Sequence, residues 1–411
     1  MPTTAKSASS PRCDVKIAVV GAGIGGLSAA AFLERHDHEV HVFESSTELG
    51  EVGAGIQISP NGSRLLHQLG LEEQLATIGT TPSRVVIRRW SDDSQLSETP
   101  LGPRARQRWS APYYNVYRPD VIEILKSACE RSTIHLDHRL VRVDVESTRP
   151  VLEFDNGESC SADLVIGADG IHSRVRHGLF GEQSTRFSGW VAYRALVPRE
   201  RVADLAVEVT NRLGPDAHIV SYFVGRNQRF LNLVCISHDP DWSIESWHEP
   251  GDTEVLRARF ADWSSPVRDL LERVEPNVFR WALHDRRPLD AWSRGPVTLL
   301  GDAAHPMVPF MAQGGCQAIE DAAVLTRALD EGRDAEHALD LYESIRRPRT
   351  ADIQGRSFAN ATSFHLADGP EQKRRDDAYA AISARGDDVL ANFDWLYGHD
   401  ASTQTWPDAT V

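Results

Sequence analysis

Three glycines near the start of the chain have the spacing of a dinucleotide phosphate site. Gly21, Gly23 and Gly26 come directly after a β-branched run at 15–20, which predicts a buried parallel strand. In the pattern GxGxxG the first glycine allows a tight turn and the second lets the backbone approach a pyrophosphate. The third lets the next helix pack closely. Free N–H groups at the start of that helix favour an anion.

An acidic residue completes this pattern. Glu44 follows a second predicted strand at 39–43. A carboxylate at that position accepts hydrogen bonds from ribose hydroxyls and disfavours a 2′-phosphate. The alternative is a purely structural glycine turn. The strand, helix and acid together favour a β-α-β nucleotide site.

Two later segments place an aspartate directly after a predicted strand. Asp169 begins a turn that, by itself, is equally consistent with an ordinary strand–turn–helix junction. Asp302 could accept a hydrogen bond from a sugar hydroxyl. Gly314 and Gly315 leave backbone N–H groups bare at the start of a predicted helix. Such groups suit an anion, or an oxygen that becomes negative during a reaction.

The periodicity of the chain predicts the elements that position these residues. Helices are expected at 27–35, 62–79, 119–131, 253–275, 314–329 and 335–347. Short strands are expected at 134–136, 140–145, 151–154, 163–166 and 296–300. The middle of the chain is rich in β-branched and aromatic residues broken by turns, which predicts an antiparallel sheet in a separate lobe.

Composition narrows the functional classes. The chain has 411 residues with 59 Asp+Glu against 44 Lys+Arg, a net charge of −15. This balance argues against a nucleic-acid binder and against binding to an anionic membrane surface. Five cysteines contain no CxxC pair and cannot all pair within the chain, which favours a reducing cytoplasm. No stretch reaches about 18 apolar residues, and residues 1–14 are interpreted as a loose tail rather than a signal peptide.

In combination and in this order, the glycine motif, the Asp-Gly element at 169–170 and the Gly-Asp element at 301–302 resemble the class A flavoprotein aromatic hydroxylases. The resemblance extends from Lys16 to about Arg349. Further segments are similar to the single-component monooxygenases that act on salicylate, 3-hydroxybenzoate and 6-hydroxynicotinate. These segments are 52–57, 189–194, 292–306 and 396–400. The motifs are specific for the family and leave the substrate open.

The resemblance implies an α/β fold like that of p-hydroxybenzoate hydroxylase. A Rossmann-type FAD-binding domain would carry an inserted antiparallel-sheet substrate domain and C-terminal helices. The expected FAD-binding domain comprises 13–80, 108–182 and 276–360. The expected substrate domain comprises 81–107 and 183–275, and a C-terminal helical tail comprises 361–411.

The resemblance also implies bound FAD, with NADH or NADPH and O₂ as transient co-substrates. The three glycines of the GxGxxG motif would face the pyrophosphate, Glu44 the adenosine ribose and Arg118 the phosphates. Asp302 would bind the ribityl–pyrophosphate region. Gly314 and Gly315 would direct N–H groups at the N1–C2=O edge, where a helix N-terminus stabilises anionic reduced flavin. The other expected cofactor contacts are Gly53, Ala54, Asp169 and Pro306, and no metal ligands are assigned.

His218 and Tyr222 are the expected catalytic pair. Their spacing places both on one face of a strand. Relatives carry a histidine and a tyrosine at this spacing, so both are expected to touch substrate, with His218 as the base that takes the phenolic proton. Two aromatic residues in a half-buried sheet are the structural alternative. His305 belongs to the cofactor motif and is a weaker candidate for the base.

Three more residues are expected at the substrate. Arg194 could pair with a carboxylate or reach the flavin edge. Pro309 and Phe310 are expected to line the pocket. Relatives that act on 6-hydroxynicotinate have a histidine at the position of Phe310, so this departure favours a carbocyclic phenol.

The resemblance implies hydroxylation of a phenolic aromatic acid through a C4a-hydroperoxyflavin. Salicylate, giving catechol and CO₂, is the first expectation. The alternatives are ring hydroxylation of 3-hydroxybenzoate, 6-hydroxynicotinate or a natural-product phenol. From other classes, a flavin oxidase or dehydrogenase without oxygen insertion and a non-enzymatic flavin-binding protein are also considered. A cytoplasmic monomer or homodimer, without nucleic-acid or membrane partners, is expected.

Overall fold

The computed structural model describes residues 12–50, 54–242 and 249–406. Its strands are β1 (Arg12–Val20), β2 (Val40–Phe43), β3 (Gly55–Ile58), β4 (Arg84–Arg89), β5 (Gln95–Pro100), β6 (Tyr114–Tyr117), β7 (Thr133–His135), β8 (Leu140–Asp144), β9 (Val151–Phe154), β10 (Ser159–Gly167), β11 (Arg186–Pro198), β12 (Val209–Gly214), β13 (Ala217–Val224), β14 (Phe230–His238), β15 (Pro250–Gly251), β16 (Val278–Asp285) and β17 (Val297–Leu299). Its helices are α1 (Ile24–Arg35), α2 (Pro60–Gln68), α3 (Glu72–Ile78), α4 (Pro103–Trp109), α5 (Arg118–Ala128), α6 (Arg174–Phe180), α7 (Thr253–Arg259), α8 (Ser265–Glu272), α9 (Gly314–Glu331), α10 (Ala335–Ser363), α11 (Pro370–Ser383) and α12 (Asp394–Tyr397).

The first sheet is seven-stranded, in the order β7-β2-β1-β10-β9-β8, with β17 paired to β10. Strand β1 pairs in parallel with β2 and with β10, and β10 pairs in parallel with β17. Parallel strands are buried on both faces, which explains the unbroken apolar run at the end of β1. Their carboxyl ends meet at one edge, where open α/β sheets bind ligands. The glycine motif, Glu44, Asp169 and Asp302 all follow these ends.

The second sheet is eight-stranded, in the order β15-β16-β11-β14-β13-β12-β4-β5. Side chains alternate between its two faces. One face packs against α7 and α8 through residues such as Ile219, Phe223 and Leu270. The other face presents His218, Val220 and Tyr222. The antiparallel lobe expected from the sequence is therefore present, and β4 and β5 extend it from an earlier part of the chain.

The C-terminal third is more helical than its sequence pattern predicts. Helix α10 does not stop near residue 347 but continues past Pro348 to Ser363. It packs along α9, and the fully buried guanidinium of Arg346 binds the carboxylates of Glu320 and Asp321. Helix α11 then packs on β5, and α12 packs on α2. This tertiary anchoring outweighs the weak local pattern.

Other boundaries also differ from the sequence expectation. The helix expected over 62–79 is two helices, broken at Gly70 with a φ of +72°. The helix expected over 253–275 is likewise divided into α7 and α8.

The described cysteines are in two states. Cys160 is disulfide-bonded, whereas Cys129, Cys235 and Cys316 are free and buried. Among the described residues, no helix is both long and apolar enough to cross a bilayer.

Candidate active site

A single large cavity of about 1380 Å³ connects the two sheets. It begins at the carboxyl ends of the parallel strands and ends against the face of the second sheet that carries His218, Val220 and Tyr222. Most of the residues predicted from the sequence line it: Gly21, Gly23, Glu44, Arg118, Asp169, Arg194, His218, Tyr222, Asp302, Pro309, Phe310, Gly314 and Gly315. Gly26, Ala54 and Pro306 are not among its lining residues. Gly53 lies outside the described residues.

The glycine motif forms a backbone cradle at one end of this cavity. Gly21 has a φ of +102°, and a Cβ there would lie 2.5 Å from the Ala168 carbonyl oxygen. A Cβ on Gly26 would collide with the Gly21 carbonyl oxygen. A Cβ on Gly23 would meet no atom of the described residues within 4 Å, and this position lines the cavity. The cradle therefore has room for a phosphate group at the N-terminus of α1.

Glu44 closes the same end as an ionised acceptor. Its carboxylate accepts hydrogen bonds from the Ala22 and Ser46 N–H groups at 2.8 and 2.9 Å, and from the Ser45 hydroxyl at 3.0 Å. Burial alone would raise the pKa of Glu44, but these hydrogen bonds outweigh it and lower the pKa. An ionised carboxylate lining this end can accept from ribose hydroxyls.

Asp169 lines the cavity and also holds the turn that follows β10. Its carboxylate accepts from the Ser173 hydroxyl at 2.5 Å and from the N–H groups of Arg174 and Val175 at 2.7 and 3.2 Å. These contacts hold the turn and the start of α6. Asp169 therefore has a structural role at the strand–turn–helix junction, which is one of the two roles that the sequence allowed. A contact with a cofactor stays a prediction.

Asp302 lies where the cavity meets the start of α9. Its carboxylate is accessible from the cavity but enclosed by protein, and burial raises the pKa of Asp302 more than the neighbouring His305 and Arg118 lower it. Gly314 and Gly315 open α9 beside it, and a Cβ on Gly314 would lie 3.7 Å from Asp302 Oδ1. The helix N-terminus and an acceptor for hydroxyl groups therefore share one wall.

His305 supports this wall from behind. Its Nε2 contacts Asp321 Oδ2 at 2.6 Å, and the same oxygen accepts from the Gly301 N–H at 2.9 Å. His305 is 1% exposed and does not line the cavity. The structure therefore places it as a support of the Gly301–Asp302 turn, in line with its low ranking as the base.

The other end of the cavity is a mainly apolar box with a few polar groups. The wall from the second sheet carries Ile87, Arg194, Asn211, His218, Val220, Tyr222, Val234 and Ile236. The opposite side is formed by the loop before α9 and by the C-terminal third, through Pro309, Phe310, Asn360, Phe364, Tyr379, Phe393, Leu396 and Tyr397. Such a lining suits a flat aromatic ring and excludes water.

His218 is the buried titratable group of this box. It is 1% exposed, and its ring lies edge-on to Phe310 and Phe364 at centroid distances of 5.4 and 5.5 Å. Burial lowers the pKa of His218 well below 6.5, and the neighbouring His365 lowers it further. The imidazole is therefore neutral near pH 7 and can accept a proton.

His365 was missed by the sequence analysis. Its Nε2 lies 2.6 Å from His218 Nδ1, although the two residues are 147 positions apart. It follows the last turn of α10, a helix that the sequence pattern ended too early. Asn211 was also missed: its Oδ1 is buried without a hydrogen-bond partner among the described residues. The even spacing of cavity-facing positions in β12 could have identified Asn211, but no local signal could have identified His365.

Arg194 and Tyr222 form a second polar group. The Arg194 guanidinium lies 4.2 Å above the centroid of the Trp281 ring. Burial lowers the pKa of Arg194 to about 10, and the nearby Tyr222 opposes this shift. Burial raises the pKa of Tyr222 to about 12, so its phenol is a neutral donor. A cation beside a neutral donor is suited to a carboxylate.

This combination of a nucleotide cradle on a parallel sheet and an aromatic box on an antiparallel sheet defines a class of flavoprotein. The family model described as FAD binding domain matches residues 14–357, and the chain belongs to this family. FAD is its cofactor, and its fold is that of the p-hydroxybenzoate hydroxylase-like enzymes.

Individual relatives narrow the class to aromatic monooxygenases. The chain is 39% identical to 3-amino-4-hydroxybenzoate 2-monooxygenase of Streptomyces platensis, over 94% of this chain and 96% of that protein. It is 35% identical to 6-hydroxynicotinate 3-monooxygenase of Bordetella bronchiseptica, over 90% and 97%. A crystal structure of a Klebsiella pneumoniae HpxO variant with FAD matches with a TM-score of 0.82 and 28% identity, over 93% and 99%. The chain is an FAD-dependent aromatic monooxygenase that uses O₂ and NAD(P)H.

Proposed function

We propose that the protein hydroxylates a phenolic aromatic acid whose ring hydroxyl is deprotonated by His218. The observation that carries this proposal is the buried, neutral imidazole of His218 in the wall of an aromatic box. The same cavity continues to the glycine cradle that would hold the FAD pyrophosphate, so a ring held in the box would lie beyond the other end of the cofactor. FAD, when bound and reduced, supplies the reaction with O₂ that delivers one oxygen atom.

The role of His218 follows from the electronic demand of the reaction. An electrophilic oxygen attacks an electron-rich ring, and a phenolate is far richer in electrons than a phenol. His218 accepts the hydroxyl proton because its depressed pKa keeps the ring neutral at assay pH. Phe310 and Phe364 contact the ring of His218 and exclude water from it.

We assign the carboxylate of the substrate to Arg194 and Tyr222. The guanidinium supplies the charge and the neutral phenol of Tyr222 supplies an additional donor. In the alternative, Arg194 reaches the flavin edge. Arg118, which is expected at the FAD phosphates, is close enough for its charge to lower the pKa of Arg194, and this proximity supports the alternative. The variant Arg194→Met separates these two roles, because the first predicts a change in KM for the acid and the second a change in the flavin spectrum.

The identity of the substrate rests on two lines of support. The chain is 39% identical to a 3-amino-4-hydroxybenzoate 2-monooxygenase, so 3-amino-4-hydroxybenzoate is the first substrate to test. Salicylate, giving catechol and CO₂, is the substrate expected from the sequence, with 3-hydroxybenzoate as its near rival. Phe310 contacts His218 where relatives acting on 6-hydroxynicotinate are expected to have a histidine, so this nitrogen heterocycle is ranked last.

The test is aerobic NADH and NADPH consumption by the FAD-loaded protein over these four acids, with identification of the product and of CO₂. We expect acid-stimulated consumption coupled to a hydroxylated product. Flavin reduction by the acid without a nicotinamide donor would instead indicate an oxidase or dehydrogenase. Firm FAD binding with no stimulation by any of the four would overturn the aromatic-acid assignment.

A further inference from the structure

His365 is held rigidly at the end of α10 by three contacts. Its Nδ1 lies 2.5 Å from the Ala361 carbonyl oxygen, and its ring stacks on Trp190 at a centroid distance of 3.7 Å. Its Nε2 lies 2.6 Å from His218 Nδ1. The side chain is largely buried, at 6% exposure. His365 itself does not line the cavity, so it can act on a substrate only through His218.

The hydrogen-bond partners determine where each proton lies. A carbonyl oxygen can only accept, so Nδ1 of His365 must carry a proton. In a neutral ring Nε2 is then bare and can only accept, so the proton in the contact between the two histidines belongs to His218 Nδ1. The neutral ring of His218 consequently has a bare Nε2. That nitrogen makes none of the hydrogen bonds found among the described residues.

The charge state of His365 supports this assignment. Burial lowers the pKa of His365 to about 4, although the Ala361 carbonyl opposes the shift. The ionisable groups that act on it are His238 from β14 and Arg375 from α11, and both disfavour a positive charge on His365. The remaining neighbour, His218 on β13, is itself neutral. The ring therefore stays neutral above about pH 5 and remains an acceptor toward His218.

We propose that His365 is a positioning residue that fixes the tautomer of His218, so that Nε2 of His218 is the atom that takes the substrate's phenolic proton. The inference rests on the proposed function. In this step the O–H bond of the ring hydroxyl breaks, the proton moves to His218 Nε2, and the electron pair of that bond stays on the oxygen, which becomes a phenolate. His218 becomes an imidazolium, and its Nδ1–H keeps donating to His365 Nε2. An alternative tautomer of His218 would place its proton on Nε2 and leave no base.

The test compares two substitutions on two substrates. His365→Leu removes the acceptor, whereas His365→Gln offers an amide oxygen to the His218 N–H. The substrates are a phenolic acid of ordinary acidity and a ring-fluorinated form of the same acid that is already ionised at the assay pH. We expect His365→Leu to lower kcat about 100-fold on the first and less than about threefold on the second. His365→Gln should restore most of the loss, with KM unchanged.

A structural role would give a different pattern. Equal losses on both substrates, or a His365→Gln enzyme as slow as His365→Leu, would overturn the proposal. The matched control is His238→Gln, because His238 also contacts Trp190, at 5.1 Å, but makes no contact with His218 among the described residues. It should leave kcat unchanged. FAD content and unfolding midpoint of each variant show whether the fold is intact.

A measurement without turnover separates this inference from the proposed function. Nitrogen NMR shifts of histidine-labelled holoenzyme report which nitrogen of each ring is protonated, independently of any substrate. We expect His218, identified by the signal lost in His218→Gln, to be protonated at Nδ1 and bare at Nε2. His365→Leu should shift it toward a mixture of tautomers. The opposite tautomer in the wild-type protein, or no change in His365→Leu, would contradict the positioning role even in an enzyme that hydroxylates phenolic acids.

Discussion

The two ends of the cavity are assembled in different ways. At the end proposed to hold FAD (the FAD end), the predicted cofactor residues Gly21, Glu44, Asp169 and Asp302 follow the ends of β1, β2, β10 and β17, so each lies beside the strand that positions it. At the substrate end, His218 depends on His365 from the far end of α10 and on Phe310 from the loop before α9. The FAD end is thus encoded by short motifs, whereas the substrate end exists only after distant segments have packed together.

At the FAD end, a change at a glycine that is packed against backbone should act on the fold. Gly26→Ala should cost about 3 kcal/mol in the free energy of unfolding, because the new Cβ would collide with the backbone oxygen of Gly21. Urea unfolding measures this loss. The matched control is Gly23→Ala, where a Cβ meets nothing within 4 Å in the part of the chain that the structure describes. It should unfold within about 0.5 kcal/mol of the wild type and yet bind FAD more weakly. Equal losses of stability in the two variants would contradict the claim that Gly26 is packed against backbone whereas Gly23 faces open space.

A change at the substrate end should act on chemistry instead. His218→Gln should lower kcat about 100-fold or more, with FAD binding and stability close to wild type. In the wild type the base works when neutral, so kcat should be constant from pH 7 upward and fall only as the pH drops well below 6.5. Steady-state pH profiles check this. A midpoint at or above pH 6.5 would exclude His218 as the group that titrates.

Arg194 lies where the two ends meet, and its substitution identifies the end to which it belongs. Arg194→Met removes the charge at similar volume. If Arg194 binds the carboxylate, KM for the acid should rise about 30-fold, as expected for loss of one hydrogen bond to a charged group. FAD affinity and the flavin spectrum should not change. An unchanged KM with an altered flavin spectrum would assign Arg194 to the flavin edge.

The smallest effect is expected at Asn211. Its Oδ1 faces no donor among the described residues, so a second donor on the substrate ring, such as an amino group, can fill that role. Asn211→Leu should reduce kcat/KM about fivefold to tenfold for 3-amino-4-hydroxybenzoate, and little for 4-hydroxybenzoate. Comparison of the two acids in both proteins gives the result. Equal losses for the two acids would indicate that Asn211 contributes only to packing.

This contrast also explains what the sequence could predict. The parallel strands, the glycine motif and Glu44 were predictable, because each depends on residues close in sequence. The shared face of His218 and Tyr222 followed from the period of a strand. The partner of His218 could not be predicted, because it lies beyond Pro348 at the end of α10, a helix that contacts α9 through Arg346, far from His218 in sequence. Asp169 remained ambiguous because one carboxylate can cap a helix or bind a ligand, and only the contacts show the capping.

The most direct test of the account is a crystal structure with FAD and a phenolic acid bound together. We expect the pyrophosphate at the N-terminus of α1 and the substrate ring against the second sheet. The ring hydroxyl should lie within hydrogen-bond distance of His218 Nε2. A substrate whose hydroxyl points away from His218, or a ring bound outside the box on the second sheet, would contradict the claim that this cavity joins a flavin site to a phenol-deprotonating site.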